Sequence, residues 1–166
     1  MFLIRVGVAP LQSLCVYFYM KIVELYCGAG GVGLAFHELG YDTTGVDIED
    51  KSETYAGEFL QADASKVEEL PFDPGTVDFV WASPPCPAYS RISVINHENP
   101  REVYPTIPEL RVHEVIQYLL KPDGHYVIEN VRGCDDLRDP TRINGYGVGL
   151  EVGMERWFET SFPVPD

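Results

Sequence analysis

Lysine is scarce in this chain: Lys21, Lys51, Lys66 and Lys121 are the only four, and all cations together number 12 against 26 Asp and Glu. The resulting net charge of -14 removes the basic surface on which sequence-independent nucleic-acid binding normally rests. The acids are scattered and form no tail. That pattern fits a solvated surface adapted to concentrated salt, where the Debye length shrinks to roughly 3 Å at 1 M. Paired cysteines are also absent. Cys15, Cys27, Cys86 and Cys134 are widely spaced with no CxxC, which argues against a disulfide framework or a metal site and for a reducing cytoplasm.

No uninterrupted run of about 18 apolar residues occurs, so no membrane span is expected. The apolar opening MFLIRVGVAPLQSLCVYFYM is broken by Arg5, Pro10, Gln12 and Ser13, and it lacks a clear small-residue cleavage site. Residues 1–19 read as an appendage upstream of the functional start, with an extra strand or an interfacial helix as the alternatives. Repeats, linkers and low-complexity segments are missing. The 166 residues, 45% of them apolar, suffice for one domain with a real core, expected over residues 20–166.

What is there is an alternation of strands and helices. Lys21–Tyr26 predicts a strand, and VGLAFHELG a helix stopped at Gly40. TTGVDI, FLQADA and TVDFVWA predict further strands, with a short helix over 65–70 and a turn at PFDPG. Residues 91–105 read as a long loop. A helix is expected from Thr106, where Glu109 completes a capping box, and Lys121-PDG is expected to end it before the strand HYVIE. Such alternation predicts an α/β fold, a mostly parallel sheet with helices on both faces, whose ligands bind at the carboxyl ends of the strands.

Five features follow strands directly and so share that rim: the glycine loop, Asp47, Asp63, SPPC and Glu129. Gly28-AGGV-Gly33 matches GxGxxG with Asp47 ending the next strand, which suits an adenosine-type cofactor or a tight structural turn. Asp63 could accept an adenine amino group or simply act as a helix-terminal acid beside Ser65. Cys86 follows Pro84-Pro85, and prolines fix φ and hold the next side chain in place at little entropic cost. A metal ligand, a buried filler and a nucleophile all use a fixed thiol; the rim position and the two prolines favour the nucleophile, with Arg91 or Arg156 as the cation that favours its thiolate. Glu129 either caps its strand, pairs with Arg132, or presents an acid to the same cleft.

Together these residues resemble the DNA cytosine-5 methyltransferase family. IVELYCGAGGVGLAF resembles its cofactor motif, GVDI its ribose-binding motif, SPPCPAYS its proline-cysteine motif, IENV its glutamate motif and RWFET the end of its arginine motif. The compact form looks most like small, often virus-borne members. The resemblance implies a Rossmann-like S-adenosylmethionine-dependent methyltransferase fold, with residues 20–166 as a single catalytic domain. It implies methyl transfer from S-adenosyl-L-methionine to C5 of a flipped-out cytosine in DNA, through a covalent Cys86 adduct. Cys86, Glu129, Arg156 and Asn130 would be the catalytic set. Tyr26, Cys27, Gly28, Ala29, Gly30, Gly31, Asp47, Ile48, Asp63, Ala64 and Pro85 would bind cofactor, and Ser90 and Arg91 substrate.

Two departures stand out. Met154 occupies the place of the family's earlier arginine, and the chain ends at Asp166 without the target-recognition domain and closing helix of larger relatives. Specificity would then come from a homodimer or a separate specificity subunit, in the cytoplasm, or in a host's cytoplasm for a viral protein. The alternatives are an amino-group methyltransferase acting on cytosine N4 or adenine N6, which usually carries an aromatic where Cys86 stands, a dehydrogenase suggested by the glycines alone, and a catalytically degenerate S-adenosylmethionine-binding module.

Overall fold

The computed structural model describes residues 20–164, so the expectation for residues 1–19 lies outside the described residues. Seven strands form one sheet in the order β3-β2-β1-β4-β5-β7-β6. They are β1 (Ile22–Leu25), β2 (Thr43–Asp47), β3 (Glu58–Gln61), β4 (Val77–Ala82), β5 (Leu120–Val131), β6 (Thr141–Asn144) and β7 (Glu155–Thr160). The first five pair in parallel, and β7 runs antiparallel to both β5 and β6.

Alternation along β1 sorts its side chains between two layers. Val23 and Leu25 face a core built with Val80, Ala82 and Ile128 and the stripe Val112, Val115, Ile116 and Leu119 of helix α3 (Val112–Leu119). Ile22 and Glu24 face the other way, towards helix α1 (Gly31–Glu38), where Glu24 accepts a 2.8 Å bond from Gly33 N. Phe36 of α1 meets Phe79 of β4 edge to face. The helices therefore cover opposite faces of the sheet, as the sequence predicts.

Tyr55 is the piece that sequence patterning does not show. Its buried ring leaves no room for a side chain at three glycines: a Cβ on Gly30, Gly33 or Gly45 would come within 2.8, 2.4 and 2.5 Å of it. Its hydroxyl donates to Glu24 Oε2 at 2.9 Å and lies 3.2 Å from Thr43 Oγ1. Burial pushes the Glu24 carboxyl up, against the opposing bonds from Tyr55 and Gly33. Replacing Glu24 by Ala leaves the buried Gly33 N without its acceptor and the Tyr55 hydroxyl with Thr43 alone. We expect a loss of about 3 kcal/mol, seen as a fall of about 6–12 °C in Tm, and a clearly smaller loss for Glu24→Gln, which keeps an acceptor.

Three local expectations differ from the structure. The Thr106–Glu109 capping box does form, with Glu109 Oε2 accepting from Thr106 N at 2.8 Å. Yet it closes only a single turn, because Arg111 adopts a left-handed φ of 53° and α3 begins after it. Lys121-PDG does not separate helix from strand: β5 starts at Leu120 and absorbs those residues in a register shift between Val77 and Phe79. Residues 91–105 hold a short helix, α2 (Ser93–Asn96), and a 3-10 turn at Pro100–Glu102. That segment is tied back by an ion pair of Arg101 with Asp135 and by Tyr89, whose hydroxyl donates to Asp136 and accepts from Ile107 N, both at 2.6 Å.

Candidate active site

The carboxyl ends of β1, β2, β3, β4 and β5 form one rim, and the residues singled out above lie along it. Tyr26 leaves β1 with a φ of 57°, an uncommon conformation for a non-glycine residue. Gly28 and Gly30 continue the turn at φ 50° and 77°, where glycine carries no steric cost. Asp47 ties this turn to β2: one carboxylate oxygen accepts from Gly28 N at 2.8 Å and the other from Glu49 N at 3.0 Å.

A hollow of about 330 Å³ opens here, lined by Tyr26, Asp47, Ile48, Asp63, Ala64, Ser65, Ser83, Pro85 and Leu110. Six of these nine are residues expected to bind cofactor. Ser65, Ser83 and Leu110 carried no signal of their own; Leu110 reaches the hollow from the turn before α3, and its carbonyl lies 3.5 Å from the Tyr26 hydroxyl. Asp63 Oδ1 accepts from both Ser65 N and Ser65 Oγ, which with Lys66 hold its carboxyl below the ordinary range in spite of partial burial. Ile48 is 68% exposed, an unpartnered apolar side chain on the hollow's edge. Cys27 is buried beneath the turn, and Ala29, Gly30 and Gly31 shape the turn without lining the hollow.

The second half of the rim is built by β4 and β5, adjacent and parallel with Ala82 opposite Ile128. This register brings the SPPC turn and Glu129 to the same end of the sheet. The turn is anchored on three sides. Ser83 N donates to Leu25 O at 3.1 Å, Trp81 Nε1 donates to Ser83 Oγ at 2.9 Å, and Asn130 Nδ2 donates to Pro84 O at 3.0 Å. Tyr89 N and Ser90 N both donate to the Cys86 carbonyl at 3.0 Å, winding the chain into a tight turn behind the thiol.

Cys86 is half-buried, whereas Cys27 and Cys134 are buried. Burial first, and then nearby carboxylates, push the Cys27 thiol up to about 12; burial also pushes Cys134 up to about 11. Both stay protonated and inert at ordinary pH. Among the described cysteines, Cys86 alone is accessible at the rim.

Glu129 pairs with Arg156, 2.9 Å from Oε1 to Nε. Burial raises the Glu129 carboxyl above its ordinary range and the guanidinium only partly offsets this. Arg156 comes from β7, whose register sets it opposite Val131. Four arginines beyond residue 90 are paired with carboxylates: Arg101, Arg111, Arg132 and Arg156. Arg91 is exposed on the rim with no ion pair among the described residues. Ion pairing therefore reduces the positive charge that these arginines offer a polyanion. No His, Cys, Asp and Glu grouping among the described residues could hold a metal ion, and no described helix is long and apolar enough to cross a membrane.

No curated protein matches the chain. Among solved structures it is similar to Burkholderia thailandensis 1,6-didemethyltoxoflavin-N1-methyltransferase, with a TM-score of 0.53 and 15% identity over 84% of this chain and 69% of that one. A TehB-like SAM-dependent methyltransferase from Corynebacterium glutamicum gives a TM-score of 0.49 and 18% identity over 86% and 79%. An S-adenosylmethionine dependent methyltransferase from Mesorhizobium loti gives 0.45 and 20% over 68% and 47%, so this chain spans about half of that protein's length. The first of these likenesses shows the Rossmann-like methyltransferase fold. The family model for C-5 cytosine-specific DNA methylase matches residues 20–139. That match takes in the glycine turn, Asp47, Asp63, SPPC and IENV, and the chain belongs to this family.

Proposed function

We propose that the protein transfers a methyl group from S-adenosyl-L-methionine to C5 of cytosine in DNA. The observation that carries this is the shared rim: an accessible thiol on a turn anchored at three points, an acid held protonated by burial above its ordinary range, and a hollow of about 330 Å³ lined by Asp47 and Asp63. The hollow fits the cofactor chemically. Asp47 offers carboxylate acceptors for ribose hydroxyls, Asp63 an acceptor for an amino group, and Ile48 and Pro85 apolar faces for a purine. When bound, S-adenosyl-L-methionine supplies an electrophilic methyl on a sulfonium, leaving as the thioether.

Cytosine C5 is a weak nucleophile until a group adds at C6. The Cys86 thiolate would form the S–C6 bond, while Glu129 in its acid form gives a proton to N3, so that electron density collects at C5. After methylation at C5, loss of the C5 proton to a base, expulsion of the Cys86 sulfur and return of the N3 proton to Glu129 would restore the aromatic ring, the thiolate and the acid. Arg156 would hold the cytosine carbonyl oxygen, and its pairing with Glu129 keeps the two side chains in register. Asn130 is a positioning residue that fixes Pro84. Ser90 and Arg91 lie on the turn beyond Cys86, where a DNA strand would pass. The target base must leave its stack to reach the thiol.

The test is transfer of labelled methyl from S-adenosyl-L-methionine to DNA across a salt series, with Cys86→Ser alongside. Transfer that persists in Cys86→Ser, or labelling of an amino nitrogen, would favour the amino-group reading; cofactor binding with no transfer at any salt would favour a degenerate module. Asp47→Ala should weaken cofactor binding roughly tenfold or more, since a carboxylate hydrogen bond contributes about 1.5–3 kcal/mol. Calorimetric titration with S-adenosylhomocysteine checks this, and unchanged affinity would remove Asp47 from the site.

A further inference from the structure

Between Arg142 and Glu155 the chain carries a single charge, Glu151, and a strict alternation: Tyr146, Val148, Leu150, Val152 and Met154, with glycine or Glu151 between them. Such a period of two would ordinarily mark a half-buried strand. Here it forms a compact loop between β6 and β7, and all five apolar side chains are exposed, from 40% to 68%.

The loop is built, not slack. Gly145 N donates to Met154 O at 3.0 Å, Leu150 N to Gly145 O at 2.9 Å, and Asn144 Oδ1 accepts from Tyr146 N at 3.0 Å. A Cβ on Gly145 would lie 2.2 Å from Val152 O, and one on Gly153 2.9 Å from the Tyr146 ring. Glycine packing and backbone bonds thus hold the large side chains outward, an arrangement that contributes nothing to the core. An apolar cluster of this kind marks a binding surface.

Its place identifies the partner. Asn144 pairs with Glu155 and Ile143 with Arg156, so the loop springs from the strand ends that deliver Arg156 to Glu129. The loop therefore stands at the same end of the sheet as that pair. With no Lys or Arg, the loop cannot neutralise phosphates; what it can meet are the faces of bases. We infer that the Gly145–Met154 loop is an apolar prong, led by Tyr146, that enters duplex DNA beside the target cytosine and fills the stack the base has left. Apolar wedges offset the cost of unstacking in this way. The inference rests on the DNA-methylation reading.

The test compares wild type with the triple variant Tyr146→Ser/Val148→Ser/Leu150→Ser, and with Tyr146→Phe as the conservative control. A pool of duplex oligonucleotides with cytosine in all contexts is set beside the same pool single-stranded. On duplex, kcat/KM of the triple variant should fall by about tenfold or more, and on single strands it should stay within about twofold. The salt slope of binding should be unchanged, since no phosphate contact is removed, and Tyr146→Phe should behave as wild type. Equal loss on both substrates, or loss on neither, overturns the prong. So does a shift from dimer to monomer in sedimentation, which would make the loop a contact between protein copies. Binding is read independently with 2-aminopurine in the duplex. Its fluorescence should rise with wild type and not with the triple variant, even were no methyl transferred. In that outcome the methylation reading fails and the prong stands; a flat signal with wild type overturns the prong.

Discussion

Cys86→Ala is expected to reduce methyl transfer by on the order of 10³-fold or more, because the sulfur makes and breaks a bond to the substrate in every turnover. Cofactor affinity should hardly change, since the hollow is lined by Pro85 and not by the thiol. The decisive measurement is trapping. DNA containing 5-fluorocytosine cannot lose the C5 substituent as a proton, so wild type should form an adduct stable to denaturation and Cys86→Ala should form none. Among the described residues the remaining thiols, Cys27 and Cys134, are buried and held as neutral thiols, so neither can substitute. An adduct on any other cysteine, or full activity in Cys86→Ala, would overturn the covalent route.

The second large effect is at Glu129. Glu129→Gln should lower kcat by about 10²- to 10⁴-fold, the usual contribution of a positioned proton donor. The pH dependence gives the sharper prediction. Burial raises the Glu129 carboxyl, so the acid form persists above the ordinary carboxylate range. Wild-type kcat should therefore fall as pH rises through that raised value, and the residual activity of Glu129→Gln should lack this limb. The linked stability has the same sign. A folded pKa above the unfolded one favours the folded state fully below the unfolded value, and this advantage is lost as pH rises through the folded value. A profile unchanged by Glu129→Gln would assign the proton to another group.

Much of this site is legible in the sequence because each of its parts directly follows an apolar strand. In a parallel sheet, strand ends collect at one edge whatever the intervening lengths, so Asp47, Asp63, SPPC and Glu129 could be placed together without any knowledge of the loops. What escaped is what depends on contacts between distant segments. Nothing local in TYAGE reveals that Tyr55 fills the space left by three glycines, Gly30, Gly33 and Gly45. The capping signal at Thr106 predicts too early a start for α3, because the left-handed Arg111 five residues later overrides it. Lys121-PDG carries turn residues, yet pairing with β4 draws it into a strand. The buried Glu159 is likewise invisible locally. It gathers His113 Nε2 at 2.9 Å, the Tyr126 hydroxyl at 2.9 Å and Arg138 N at 2.7 Å, which fasten β7 to α3, to β5 and to the segment before β6.

Strand β5 carries the acid and the amide as neighbours, and a pleated strand sends neighbours to opposite sides. Glu129 meets Arg156 while Asn130 grips Pro84 behind the thiol. Inserting one residue between Tyr126 and Ile128 would exchange these two outlooks at a stroke, whereas the irregular stretch at 121–124 has slack to absorb an added residue. Length variation among descendants of this chain should accordingly collect at the foot of β5 and be missing from its upper half.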